Sequence, residues 1–263
     1  MKTDNLFAEQ FDFRPPATVD FVGGGGKTSL ILRLLDEHSQ SATTLYTTTT
    51  RMHPPDPVHG MVIISGGSDV PLLQILDRIA RKGDGRLRKL VVTGPESRPG
   101  LLSGMPPDFA ARLDRELFPL VLNEADGARR MSLKMPRDGE PVLMDGANYL
   151  VPVIGVDCLG KALGPDSLFR WELASKRHAL PAGACITPRL AASLLLHPEG
   201  VCKGWRPGMR IIPYINKVEN NAQLALAQAL AQELLHHEHF PVQSVVWGSV
   251  QLSRVGRFSA QVQ

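Results

Sequence analysis

The sequence predicts an α/β fold of three layers, in which a mostly parallel sheet is covered on both faces by helices. Three observations predict it. Strand-like and helix-like segments alternate along most of the 263 residues, and such alternation builds a doubly wound layer structure. Many strand-like segments are unbroken Val, Ile and Leu runs, which suit strands buried on both faces. One of them runs directly into four consecutive glycines and then into an amphipathic helix.

The strand-like segments are 19–23, 43–49, 61–65, 89–93, 120–124, 150–156, 210–216 and 242–247. The first helix, over 29–38, places Leu30, Leu34 and Leu35 on one side. A second, over 70–80, repeats Leu72, Leu73, Leu76 and Ile79, with Asp69 as its N-cap. A third, over 188–196, has Thr187 as N-cap and Pro188 at its first position, where a missing N–H costs least. The last, over 221–237, carries Leu224, Ala227, Leu230, Ala231 and Leu234 on one stripe. Segment 94–107 is rich in Gly, Pro and Ser and segment 127–147 in charge, Gly and Pro, and both are expected to be irregular functional loops. A single domain over 1–263 is expected, with its core between 17 and 250.

Composition narrows the function. Hydrophobic residues make up 43% and charged residues 21%, and the net charge is +3 with the basic residues scattered. There is no basic stripe or reading motif, so no nucleic-acid partner is expected. No apolar run reaches the length of a membrane span, so no membrane partner is expected either. The N-terminal ten residues carry early acidic and polar residues and lack an apolar core, so they do not read as a secretory signal. Cys158, Cys185 and Cys202 are odd in number and far apart. They suit small buried apolar residues in a reducing cytoplasm better than a metal or disulfide framework.

The glycine tract carries the chemistry. Gly23, Gly24, Gly25 and Gly26 let a backbone wrap closely around phosphate oxygens, since a Cβ would obstruct them. Lys27 adds a positive charge, Thr28 a hydroxyl for Mg²⁺, and Ser29 begins a helix whose N–H groups aim at the same place. This strand, loop and helix context predicts a P-loop NTPase-like form of the three-layer fold, binding ATP or GTP with Mg²⁺. Phe21 stands where the usual spacing has its first glycine. The run resembles the Gly-Gly-x-Gly-Lys-Thr form of the P-loop branch that includes dethiobiotin synthetase and cofactor-assembly ATPases. Val22 stands where many of those have a second lysine, which leaves the class of nucleotide chemistry open.

Acids are expected near that loop. The run 120–122 leads into Asn123-Glu124-Ala125-Asp126-Gly127. An acid at the C-terminal end of an apolar strand is where P-loop proteins hold the Mg²⁺ shell or position the attacking group. Glu124 and Asp126 are both candidates as metal ligands and catalytic groups beside Lys27, and strict in-out alternation would face them the same way. Thr49 and Arg51, at the end of the second strand, sit where α/β sheets bind substrates. Lys134 and Arg137 follow the acidic strand end and suit an anionic substrate or charge developing in transfer. Asn216-Lys217-Val218-Glu219 resembles the Asn-Lys-x-Asp run by which GTPases read guanine, with Glu219 in place of Asp. Base contact through Asn216, Lys217 and Glu219 and a plain strand-to-helix turn both remain open.

Segments 21–29, 47–55, 123–129, 133–141, 155–161, 197–204 and 216–219 together resemble one family. The Glu124-Ala125-Asp126-Gly127 and His197-Pro198-Glu199-Gly200 runs are its most distinctive parts. The resemblance is to the YqeC-type family, described as selenium-dependent molybdenum hydroxylase accessory proteins or selenium-cofactor biosynthesis proteins. It implies P-loop proteins tied to maturation of molybdenum hydroxylases, and as partners such a hydroxylase or its cofactor precursor. Three functions are compatible with these residues. One is a Mg-dependent ATP or GTP hydrolase or phosphotransferase. Another is a nucleotide-switched cofactor carrier or chaperone with little turnover of its own. The last is a binder of a cofactor that already carries a nucleotide, such as a pterin dinucleotide.

Overall fold

A computed structural model describes residues 6–67, 70–82 and 88–260. The fold is the expected α/β arrangement, a ten-stranded, mostly parallel sheet flanked by helices. The expected N-cap Asp69 lies outside the described residues. The chain divides into two compact units. One takes the chain up to Phe21 with Thr28–Gly127 and Val142–Tyr149; the other takes Val22–Lys27, Ala128–Pro141 and the chain from Leu150 onward.

The first unit contains α1 (Leu6–Phe11), β1 (Ala17–Gly23, as far as Phe21), α2 (Lys27–His38, from Thr28), β2 (Thr44–Thr48), β3 (Met61–Ser65), α3 (Val70–Lys82), β4 (Lys89–Thr93), β5 (Glu96–Arg98), β6 (Leu101–Leu102) and β7 (Leu120–Glu124). Its strands run in the order β1, β7, β2, β4, β3, and every neighbouring pair is parallel. β1 and β2 are buried along their whole length although they carry Thr18, Asp20, Thr44, Thr47 and Thr48, whereas β3 at the end of the order is half-exposed. The register levels Phe21 of β1 and Thr48 of β2 with Glu124 of β7, so β2 and β7 end together while β1 continues to Gly23. β5 and β6 form a short antiparallel hairpin inside the segment read as irregular.

Two features of this unit differ from the sequence reading. The N-terminal stretch, to which the sequence reading assigned no element, forms α1, because Phe7 and Phe11 stand one helical turn apart and are both fully buried. The Ala8 N–H near its start donates to Glu37 Oε2 at 2.7 Å. The helix after the glycines begins at Lys27 and not at Ser29, which brings Lys27 and Thr28 into its first turn. Inside the unit the fully buried Asp20 accepts from Asn123 Nδ2 at 2.6 Å and from the Met144 N–H at 3.1 Å, a strut between β1, β7 and the 142–149 segment.

The second unit contains β8 (Tyr149–Gly155, from Leu150), α4 (Trp171–His178), α5 (Pro188–Leu195), β9 (Arg210–Ile211), β10 (Tyr214–Asn216), α6 (Asn221–Leu235), β11 (Ser244–Ser249) and β12 (Arg254–Ser259). β10 lies parallel between β8 and β11, β12 closes the order antiparallel to β11, and β9 pairs with β8. The strand read over 210–216 is two short strands interrupted around Pro213, which has no N–H to give a ladder. The helix caps follow the sequence. Thr187 Oγ1 accepts from the Leu190 N–H at 3.1 Å, and Asn220 forms a capping box with Gln223. Cys158 and Cys202 are buried, Cys185 is exposed, and all three are free. Burial pushes the Cys158 thiol up to about 12, so it stays protonated. Among the described residues no helix is long and apolar enough to cross a membrane.

Candidate functional site

The glycine loop is held in one shape by its surroundings. Gly23, Gly25 and Gly26 have φ of +91°, +80° and +111°, values that L side chains rarely adopt. Gly25 is the most demanding, because a Cβ there would also lie 2.2 Å from the Gly155 backbone nitrogen. Three hydrogen bonds pin the loop. The Gly24 N–H donates to the Val153 carbonyl at 2.9 Å, the Gly25 N–H donates to the Met131 carbonyl at 2.8 Å, and Asn216 Nδ2 donates to the Gly25 carbonyl at 2.7 Å. The buried Lys27 folds back so that its ammonium donates to the Gly23 carbonyl at 2.6 Å. Helix geometry leaves the N–H groups of Gly26, Lys27, Thr28 and Ser29 without intrahelical acceptors, and the helix dipole makes that end receptive to an anion.

Thr28, the residue after the lysine, points its hydroxyl at the acidic strand end. Glu124 Oε2 accepts from Thr28 Oγ1 at 2.9 Å and from the Tyr46 hydroxyl at 2.8 Å. Tyr46 is fully buried; burial and then the Glu124 charge hold its phenol well above the usual range, so it remains a donor. The sequence offered no signal for Tyr46, whose role depends on β2 lying next to β7. A threonine hydroxyl beside a carboxylate is a pair of hard oxygen donors. Mg²⁺ is commonly held by one or two carboxylates together with substrate phosphates, and Thr28 with Glu124 fits that pattern. β7 ends at Glu124, so the alternation that would face Asp126 the same way stops there; Asp126 is buried.

The remaining candidates have varied places. Thr49 Oγ1 donates to the Val142 carbonyl at 2.5 Å and accepts from Asn123 Nδ2 at 3.3 Å, while Arg51 is exposed. Asn216 Oδ1 accepts from the buried Tyr214 hydroxyl at 3.0 Å, which fixes the amide whose Nδ2 donates to the glycine loop. Lys217 lies at φ +65°, and its ammonium donates to Ser132 Oγ at 2.6 Å and Asp157 Oδ2 at 3.1 Å. Burial would raise the Asp157 carboxyl, but hydrogen bonds from Ser132 and Lys217 hold it below the usual range. Glu219 is exposed and accepts from Ser249 Oγ at 3.3 Å.

Lys134 and Arg137 meet at Glu140. Lys134 is fully buried with its ammonium 3.0 Å from Glu140 Oε2, and the exposed Arg137 places Nε 2.8 Å from Oε1. Arg170 adds a bidentate contact, with Nη1 2.6 Å from Oε2 and Nη2 3.0 Å from Oε1. Burial alone would raise the Glu140 carboxyl, but these hydrogen bonds and charges pull it down to about 2.

The family model of the "YqeC protein" matches residues 19–172, more than half of the chain. The chain belongs to the YqeC family. The match covers the glycine loop, the acidic strand end and the cations around Glu140, and stops before Asn216. A protein of Escherichia coli (strain K12), described as "Uncharacterized protein YqeC", is 27% identical over 239 residues, covering 90% of this chain and 88% of its own length. No solved structure gives a significant match.

Proposed function

We propose that the glycine loop binds the phosphates of ATP or GTP with Mg²⁺, and that the protein hydrolyses or transfers the terminal phosphate during maturation of a selenium- or molybdenum-hydroxylase cofactor in the cytoplasm. The observation that carries the proposal is the junction of loop and helix. Three glycines with positive φ deliver the chain into Lys27 and Thr28 at the opening of α2, and the Thr28 hydroxyl meets Glu124. In this role Lys27 and the first N–H groups of the helix, through Ser29, grip phosphate oxygens, and Thr28 and Glu124 hold the metal, with the buried Asp126 as a further acid two residues on. Asn216 steadies the loop, and Lys217 and Glu219 lie near it in sequence as candidates for base contact. Arg137, the exposed cation paired with Glu140, would exchange that contact for an anionic acceptor, while Lys134 neutralises the same carboxylate from inside. The maturation role rests on family membership.

A second function is favoured by one pair of contacts. Lys27 and Thr28 are engaged with Gly23 and Glu124, and a metal–nucleotide would have to replace both contacts. Such an exchange suits a nucleotide-switched carrier or chaperone with little turnover of its own. Phosphate release separates the two. An enzyme is expected to release phosphate from Mg-ATP or Mg-GTP without a partner, and Glu124→Gln is expected to slow release by about 100-fold or more. Binding without release, even with the hydroxylase present, rejects the enzymatic function.

A further inference from the structure

We propose that Arg130, held beside the glycine loop by the turn that contains it, is the cation that meets the terminal phosphate of the bound nucleotide, a role that rests on the nucleotide site proposed above. The Met131 N–H donates to the Ala128 carbonyl at 2.9 Å, which closes a turn over Arg129 and Arg130. The carbonyl of Met131, the next residue, accepts from the Gly25 N–H at 2.8 Å, so this turn and the glycine loop are tied to each other. The approach is close: a Cβ on Gly24 would lie 2.5 Å from the Met131 carbonyl oxygen. Arg129 and Arg130 both occupy the left-handed region, at φ +47° and +63°. That region is unfavourable for a residue with a Cβ, and two such residues in succession persist only where their surroundings impose them.

The charge arrangement separates Arg130 from the other cations nearby. In segment 128–141 the carboxylates are Asp138 and Glu140. Asp138 pairs with Arg177, and Glu140 is shared by Lys134, Arg137 and Arg170. Arg129 sets its guanidinium 5.2 Å from the centre of the Phe169 ring. Arg130 is exposed and makes no ion pair or side-chain hydrogen bond to a described residue. An arginine with no carboxylate of its own, carried on a strained turn bonded to a phosphate loop, is poised to take an anionic oxygen of a ligand on that loop.

The test compares the affinities of the full-length protein for Mg-bound nucleoside triphosphate and diphosphate, in wild type, Arg130→Ala, Arg130→Lys, Arg130→Gly and Lys27→Ala. Arg130→Ala is expected to weaken triphosphate binding by about tenfold, the weight of one charge-assisted hydrogen bond, with a smaller effect on diphosphate. Arg130→Lys restores part of the loss. Arg130→Gly relieves the left-handed backbone and raises the melting temperature, yet loses triphosphate affinity as Arg130→Ala does, a combination that a structural role alone does not produce. Equal tri- and diphosphate affinities in wild type and Arg130→Ala, with binding abolished by Lys27→Ala, overturn the role of Arg130 and leave the nucleotide site standing. Absence of nucleotide binding in wild type, or binding indifferent to Lys27→Ala, overturns both.

Discussion

Lys27→Ala is expected to weaken binding of Mg-ATP and Mg-GTP by about 100-fold or more in a fluorescent-nucleotide displacement assay, while the nucleotide-free protein melts close to wild type. Lys27 is buried, and its ammonium already sits 2.6 Å from the Gly23 carbonyl at the mouth of the loop. A cation in that place is desolvated before any ligand arrives, so it has little water to lose on meeting a phosphate. Removing it takes away the charge and leaves the loop standing, because the loop's other anchors do not involve the lysine. Those anchors are Gly24 to Val153, Gly25 to Met131 and Asn216 to Gly25. Lys27→Arg tests geometry: a guanidinium keeps the charge but is too broad for the place of an ammonium, and is expected to recover little affinity. Affinity unchanged in Lys27→Ala would falsify the assignment of the lysine to phosphate.

Glu140→Gln is expected to cost about 3–5 kcal/mol of stability, measured by denaturant unfolding, because it removes the carboxylate that neutralises the fully buried Lys134. The double variant Lys134→Met with Glu140→Gln is expected to regain part of that loss, since a buried charge and its counter-charge leave together. The same carboxylate sets an acid limit. Its ordinary value is 4.5, and in the folded protein it stands at about 2. Between those values the unfolded chain binds the proton and the folded chain does not, so stability rises with pH there. The contribution is fully present above about pH 4.5 and is lost as pH falls towards about 2. Unfolding curves for wild type and Glu140→Gln are therefore expected to converge on acidification. A gap that stays constant from pH 6 to pH 3 counts against the three-cation cluster.

Much of the fold was legible because its signals are local. Unbroken runs such as Leu120-Val121-Leu122 announce strands buried on both faces, and β7 lies where they put it. Thr187 and Pro188 mark a helix start through backbone chemistry that acts within one turn, and α5 begins there. α1 escaped notice because six residues hold too short a pattern; only the spacing of Phe7 and Phe11 hints at it. β12 escaped as well, since Arg254 to Ser259 alternates weakly and is defined by its partner β11.

In the candidate site the glycines, Lys27 and Thr28 could be read directly, because phosphate chemistry needs them at consecutive positions. What could not be read was which side chains the protein spends on itself. Lys134 and Arg170 are 36 positions apart and share one carboxylate. Lys217 finds Asp157 and Ser132 only once β8 and β10 are neighbours. Tyr46 reaches Glu124 for the same kind of reason, through the pairing of β2 with β7. Strand order decides each of these, and no local sequence pattern encodes it.

Calorimetric titration of the intact chain with Mg-ATP and with Mg-GTP tests the central claim most directly. A saturable heat at one nucleotide per chain is predicted for at least one of the two, weakened when the metal is chelated. A cooperatively melting protein that gives no saturable heat with either nucleotide would contradict it.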